Sequence, residues 1–127
     1  NNQGRTPPTY SAYDRFFLGF LTPEEINTPA NAVLFPIYQG TDVSNIKNQA
    51  YLLSQYPHNL IGNEITDPNE FFIVEYRKKT GWDAYLPSEG MLIWHIDYDQ
   101  HAWNSNVVNN YSSNPQTIFD HMRIYIE

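Results

Sequence analysis

The chain has 127 residues, 7 Lys and Arg against 14 Asp and Glu, a net charge of −7 and no cysteine. That is one domain's length, enough to bury a core. Its acidity argues against nucleic acid as a partner, because binding phosphates relies on Lys and Arg. No disulfide framework or thiolate metal site can exist, and no apolar run reaches the roughly 18–20 residues that cross a bilayer. The aromatic share, 16 %, with 10 Tyr, 7 Phe and 3 Trp, favours strands and half-wet surfaces.

In chain order, the first residues have neither the basic nor the apolar region of a secretion signal, as in a cytoplasmic protein or a piece of a longer one. Thr9 is a candidate cap for a helix to about Leu18, since Tyr10, Tyr13, Phe16, Phe17 and Phe20 recur at helical spacing. Gly19 stands where a left-handed C-terminal cap would sit. Thr22-Pro23-Glu24-Glu25 reads as a second helix start, with Thr as cap and Pro at the first position, stopped by Pro29.

Strands follow. Ala32–Phe35 and Ala50–Leu53 are short candidates. Phe71–Tyr76 is a stronger one, almost without polar alternation, as in a strand covered on both faces. Met91–Tyr98 is the next, and Met122–Ile126 the last. Residues 102–116 are rich in Asn and Ser and read as a long irregular loop. The one basic cluster, Arg77-Lys78-Lys79, reads as a solvated turn. The pattern is an α+β unit over 1–127: a helical lead at 7–28, one or two helices, then a mostly antiparallel sheet over 30–127.

The residues that could carry chemistry cluster at Trp94-His95-Ile96-Asp97-Tyr98-Asp99-Gln100-His101. Continued as a strand, this places His95, Asp97, Asp99 and His101 on one face. Imidazole and carboxylate are the groups a divalent cation takes, so His95, Asp97 and Asp99 are candidate metal ligands. Four in line would span about 20 Å at 3.3 Å per residue, so one ion could take only adjacent pairs. The plainer alternative is a sheet with one apolar and one polar face, with Asp97 held by protein hydrogen bonds. Calcium is a second candidate: Asp97 and Asp99 lie near Asn104, Asn106, Asn109 and Asn110, without EF-hand spacing. The chain contains neither Gly-x-Ser-x-Gly nor His-Glu-x-x-His, so it offers no catalytic residue.

Several segments together resemble a known family. They run from Gly4-Arg5-Thr6-Pro7-Pro8 through Tyr10-Ser11-Ala12-Tyr13 and Leu18-Gly19-Phe20-Leu21 to Phe71–Arg77. Gly81-Trp82-Asp83, Leu86-Pro87 and Gly90-Met91-Leu92-Ile93-Trp94-His95-Ile96-Asp97 complete the series. In this order they resemble the immune inhibitor A family, exported bacterial zinc metallopeptidases of metzincin-like type, over nearly the whole chain. This chain has Gly19-Phe20 where the family usually has Gly-Trp, and Glu75-Tyr76-Arg77-Lys78 where it usually has Glu-Asn-Arg-Gln.

The resemblance implies a secreted or cell-envelope protein whose zinc ligands lie outside this chain, upstream. It implies that this stretch completes the peptidase domain and buttresses one wall of its cleft, with Trp82 buried in a structural turn. Its partners would be the N-terminal remainder of the same peptidase and a protein or peptide substrate. The rival is a non-catalytic β module binding carbohydrate or calcium at a cell surface, with Trp103 as a flat ring for stacking on sugar.

Overall fold

A computed structural model describes residues 7–37, 48–54, 69–110 and 121–127. Five strands form one sheet in chain order: β1 (Glu24–Ile26), β2 (Ala50–Leu53), β3 (Glu70–Arg77), β4 (Gly90–Asp97) and β5 (Ile124–Ile126). β1 pairs parallel with β2, and every other pairing is antiparallel. With α1 (Ala12–Phe17) and α2 (Gln100–Asn104), the architecture is the expected α+β, with a mostly antiparallel sheet. No described helix is long and apolar enough to cross a membrane.

β3 and β4 are the central pair, matched along their whole length from Glu70↔Asp97 to Arg77↔Gly90. Their alternation defines two faces. Ala50 and Leu52 of β2, Phe71, Ile73, Glu75 and Arg77 of β3, Leu92, Trp94 and Ile96 of β4, and Ile124 and Ile126 of β5 share one face. The core lies on it: Ala12, Tyr13 and Phe16 of α1 and Leu21 cluster with Leu52, Phe71, Ile73 and Ile96. The opposite face is only partly covered. On that face Val74 of β3 is buried but Phe72 and Tyr76 are half-buried, and β4 is half-buried with Met91 exposed, so the expectation of a strand covered on both faces is met only in part.

α1 starts two residues later than expected. Ser11, not Thr9, caps it: the Ser11 hydroxyl accepts from the Asp14 amide (3.0 Å), and the Asp14 carboxylate accepts from the Ser11 amide (3.3 Å). This Ser-x-x-Asp capping box was legible at its spacing of three. Gly19 does close the helix. Its φ is 77°, and the bonds Phe20 N–H to Arg15 O (2.7 Å) and Gly19 N–H to Phe16 O (3.0 Å) make a Schellman motif. Because the helix has only 6 residues, it turns Ala12, Tyr13 and Phe16 inward and leaves Tyr10, Phe17 and Phe20 exposed.

The second helix does not form. Glu24–Ile26 is β1, so the sheet begins inside the stretch assigned to the helical lead. A capping signal followed so soon by Pro29 leaves too few residues to offset helix nucleation, whereas the edge of β2 supplies a ladder. Ala32–Phe35 is not a strand either. The chain there meets the sheet through Tyr51 Oη on Val33 O (2.7 Å) and a single bridge from Pro36 to Tyr76. Within the expected Asn-rich loop, 102–104 belong to α2 and 105–110 are turns, while 111–116 lie outside the described residues.

Tyr13 marks a weak point in the core. It is 4 % exposed and packs edge-on to Trp103, with ring centroids 6.1 Å apart, and the interaction of its hydroxyl with Trp103 falls short of hydrogen-bond geometry. Because an unpaired buried hydroxyl costs about 1–3 kcal/mol, Tyr13→Phe is expected to stabilise the protein by about 1 kcal/mol at pH 7. Burial also raises the Tyr13 pKa well above its ordinary value. A group held protonated in the fold contributes stability that is full below its unfolded pKa, near 10, and is lost as pH rises from there towards the folded value. Urea titrations at pH 8 and pH 11 should therefore show a smaller alkaline loss in Tyr13→Phe. Equal losses in the two proteins would remove Tyr13 as the source.

Candidate functional site

The segments that carry the sequence signal converge on one buried polar cluster. Glu75, fully buried on the core face of β3, accepts three bonds: Ala12 N–H at the start of α1 (2.7 Å), Trp94 Nε1–H from β4 (2.9 Å) and Arg77 Nε–H (3.1 Å). The Arg77 guanidinium continues to Thr9 O (2.9 Å) and Asp83 Oδ2 (3.0 Å), and Asp83 Oδ1 accepts from Thr9 N–H (2.7 Å). Asp83 is 1 % exposed and Arg77 6 %, so the expectation of a solvated turn holds at Lys78 and Lys79, which are exposed, and is corrected at Arg77, which Glu75 and Asp83 draw inward. Each charge is paired and hydrogen-bonded, the condition under which ions persist in an interior. Arg15 lies close enough that Arg77 lowers its pKa, after burial, while Glu75 raises it.

The turn that delivers Asp83 is a 3-10 helix, Gly81–Tyr85, entered through Gly81 at φ 57°. Positions three apart eclipse in this geometry, so Trp82 and Tyr85 share the outer side and are 54 % and 59 % exposed. The expectation of a buried Trp82 is corrected: the inward residue of Gly81-Trp82-Asp83 is the aspartate, drawn in by Arg77 and the Thr9 amide.

His95 and Asp97 share the opposite face of β4, as expected. Glu70 Oε1 lies 2.8 Å from His95 Nε2, and Tyr125 Oη lies 2.5 Å from Nδ1. Since an ionised carboxylate only accepts, Nε2 carries a proton, and in neutral His95 the Nδ1 atom accepts from Tyr125. Desolvation raises the Tyr125 pKa, and Glu127 and Glu70 add to it. The imidazole stacks on Phe72, centroids 4.5 Å apart. Asp97 Oδ2 meets Arg123 Nη1 at 2.6 Å and His121 Nε2 at 2.5 Å.

The candidate ligands do not stay in one line. The strand ends at Asp97, so the alternation that would carry Asp99 and His101 stops. Asp99 instead caps α2, accepting from the Ala102 amide at 2.8 Å, and His101 falls inside that helix. Among the described residues no three His, Asp or Glu come together as a metal would require. Of the oxygens considered for calcium, Asn104 Oδ1 accepts from Gln100 and Asn109 Oδ1 from the Ile124 amide. Trp103 is half-buried against Tyr13 and Tyr98, with its ring packed against the core cluster.

Asp97→Asn is expected to cost about 1 kcal/mol, the range for a partly exposed charge-assisted pair. The cost should shrink in high salt. A melting temperature that rises with calcium or zinc in the original chain, but not in Asp97→Asn, would instead make Asp97 a metal ligand.

A cavity of about 670 Å³ opens over the outer end of the core face. Leu92, Trp94 and Ile126 form its floor, Pro8–Ser11 one wall and Leu86–Glu89 the other. Comparison of the chain with models of protein families, with curated proteins and with solved structures finds no match.

Proposed function

We propose that this chain completes the peptidase domain of an exported zinc metallopeptidase of the immune inhibitor A type, as a structural buttress with no catalytic group of its own. The observation that carries this reading is the buried cluster. Ala12, Glu75 with Arg77, Asp83 and Trp94 come from four segments of the resemblance, and with Thr9 their polar groups meet in one network. Glu75 and Arg77 stand where the family has Glu and Arg, and both are buried; the departures fall at half-buried Tyr76 and exposed Lys78. Such residues hold an α1–turn–sheet unit in one geometry. Water activation by zinc, with a glutamate taking the proton, would belong to a His-Glu-x-x-His helix upstream.

The partners are then the N-terminal remainder of the peptidase and a protein substrate, and the location is outside the bacterial cytoplasm or in its envelope. The exposed Phe17, Leu18, Phe20, Trp82 and Tyr85 suit a chain that packs against further protein. The test compares this chain and its full-length polypeptide on casein with zinc. The chain alone should cleave nothing above background, and the full-length protein should cleave in a chelator-sensitive way. A full-length sequence without His-Glu-x-x-His, or cleavage by this chain alone, overturns the reading.

A further inference from the structure

The longest exposed run among the described residues follows β1 directly. Residues 27–33 are all exposed, and they form neither helix nor strand. The run is held at its two ends. Ile26 O accepts from Ser54 N–H (3.4 Å), Val33 O accepts from Tyr51 Oη (2.7 Å), and Phe35 N–H donates to Asn48 O (2.8 Å). Between these anchors no hydrogen bond ties residues 27–32 to the other described residues, and Pro29 has no N–H to place.

That is the form in which an endopeptidase takes its substrate. The bound segment adds to the enzyme as a strand, through its backbone N–H and C=O groups, so a segment whose groups are already paired must first unfold. Exposed connections of small and polar residues are where nicking concentrates. Residues 27–33 read Asn-Thr-Pro-Ala-Asn-Ala-Val, without a charge. Alanine narrows the position further. Of the chain's six alanines, Ala12, Ala50 and Ala102 are buried in α1, β2 and α2, and Ala84 is half-buried in the 3-10 turn. Ala30 and Ala32 are exposed and outside any element.

The packing also keeps both sides of this run together without the covalent link. On the earlier side, Ala12, Tyr13 and Phe16 sit in the core, Ala12 N–H donates to Glu75, and Thr9 is bonded to Arg77 and Asp83. β1 is paired with β2 across the connection. We propose that residues 28–33 are a processing site, cut after Ala30 or Ala32 by an endopeptidase whose pocket for that residue is small and apolar, to give two chains in one fold. Water adds OH to the alanine carbonyl carbon and H to the nitrogen of Asn31 or Val33 as the C–N bond breaks. At neutral pH the new ends are a carboxylate and an ammonium. This inference is independent of the peptidase reading.

Brief digestion of the native full chain with pancreatic elastase, followed by intact mass spectrometry and gel filtration, tests it. The bond after Ala30 or Ala32 should be cut first, and the two pieces should elute together. Ala30→Glu with Ala32→Glu should slow that cut about tenfold or more, because a carboxylate does not enter a small apolar pocket. Phe72→Ala, which weakens the fold elsewhere, should leave the rate of the cut unchanged, since cleavage of the native chain does not wait for unfolding. A first cut anywhere else overturns the proposal, as does an unslowed double variant. So does a rate that rises in Phe72→Ala in step with its unfolding constant, and so do pieces that separate on the column.

Discussion

Arg77→Met is expected to destabilise the protein by about 3–5 kcal/mol, the range for removing one partner from a buried ion pair. The side chain keeps its bulk, so the loss is electrostatic rather than a cavity. Arg77 is the cation between Glu75 and Asp83, both essentially without solvent contact. Without it two carboxylates remain in the interior, and Thr9 O loses a donor. The consequence spreads because the cluster ties four segments: the residues before α1, β3, the 3-10 turn and, through Trp94, β4. At this chain length the melting temperature should fall by roughly 10–20 °C. Lys78→Met, one residue on and exposed, is the control and should stay within about 0.5 kcal/mol. If the two substitutions shift the urea midpoint alike, the cluster is not the buried tie described here.

Phe71→Ala should cost a comparable amount, about 3–5 kcal/mol, by transfer of the ring to water and by the cavity left behind. Phe71 is 1 % exposed and lies opposite Ile96, itself at 0 %, in the cluster that α1 covers. The adjacent Phe72 supplies the internal comparison. It points to the other face, is half-buried and stacks on His95, so Phe72→Ala should cost only about 1–2 kcal/mol. Equilibrium unfolding of the pair reads which face of β3 is the core. A larger loss from Phe72→Ala would reverse that assignment.

The two central strands were legible because their signal is local. A run such as Phe71-Phe72-Ile73-Val74 can satisfy neither a loop nor an amphipathic surface helix, and Met91–Ile96 repeats the pattern. Gly19 was legible for a similar reason, since a left-handed cap needs a residue without Cβ. The shared face of His95 and Asp97 follows from strand alternation alone. By contrast, Thr22-Pro23-Glu24-Glu25 carries a genuine helix-start signal that the fold overrides, because β2 offers backbone partners that a two-turn helix before Pro29 could not match.

What the sequence determined by itself was the α+β class, the position of β3 and β4, and, through its lack of cysteine, the absence of thiol chemistry within this chain. What only the tertiary structure decided was which polar residues meet. Nothing local distinguishes Glu75 from a solvated strand carboxylate, or makes Asp83 rather than Trp82 the inward residue of its turn. Glu75 is 63 positions from Ala12, and Asp83 is 74 from Thr9. A buried charge is tolerated only where its partners already stand, and those partners are brought together by the packing of α1 and the 3-10 turn against the sheet.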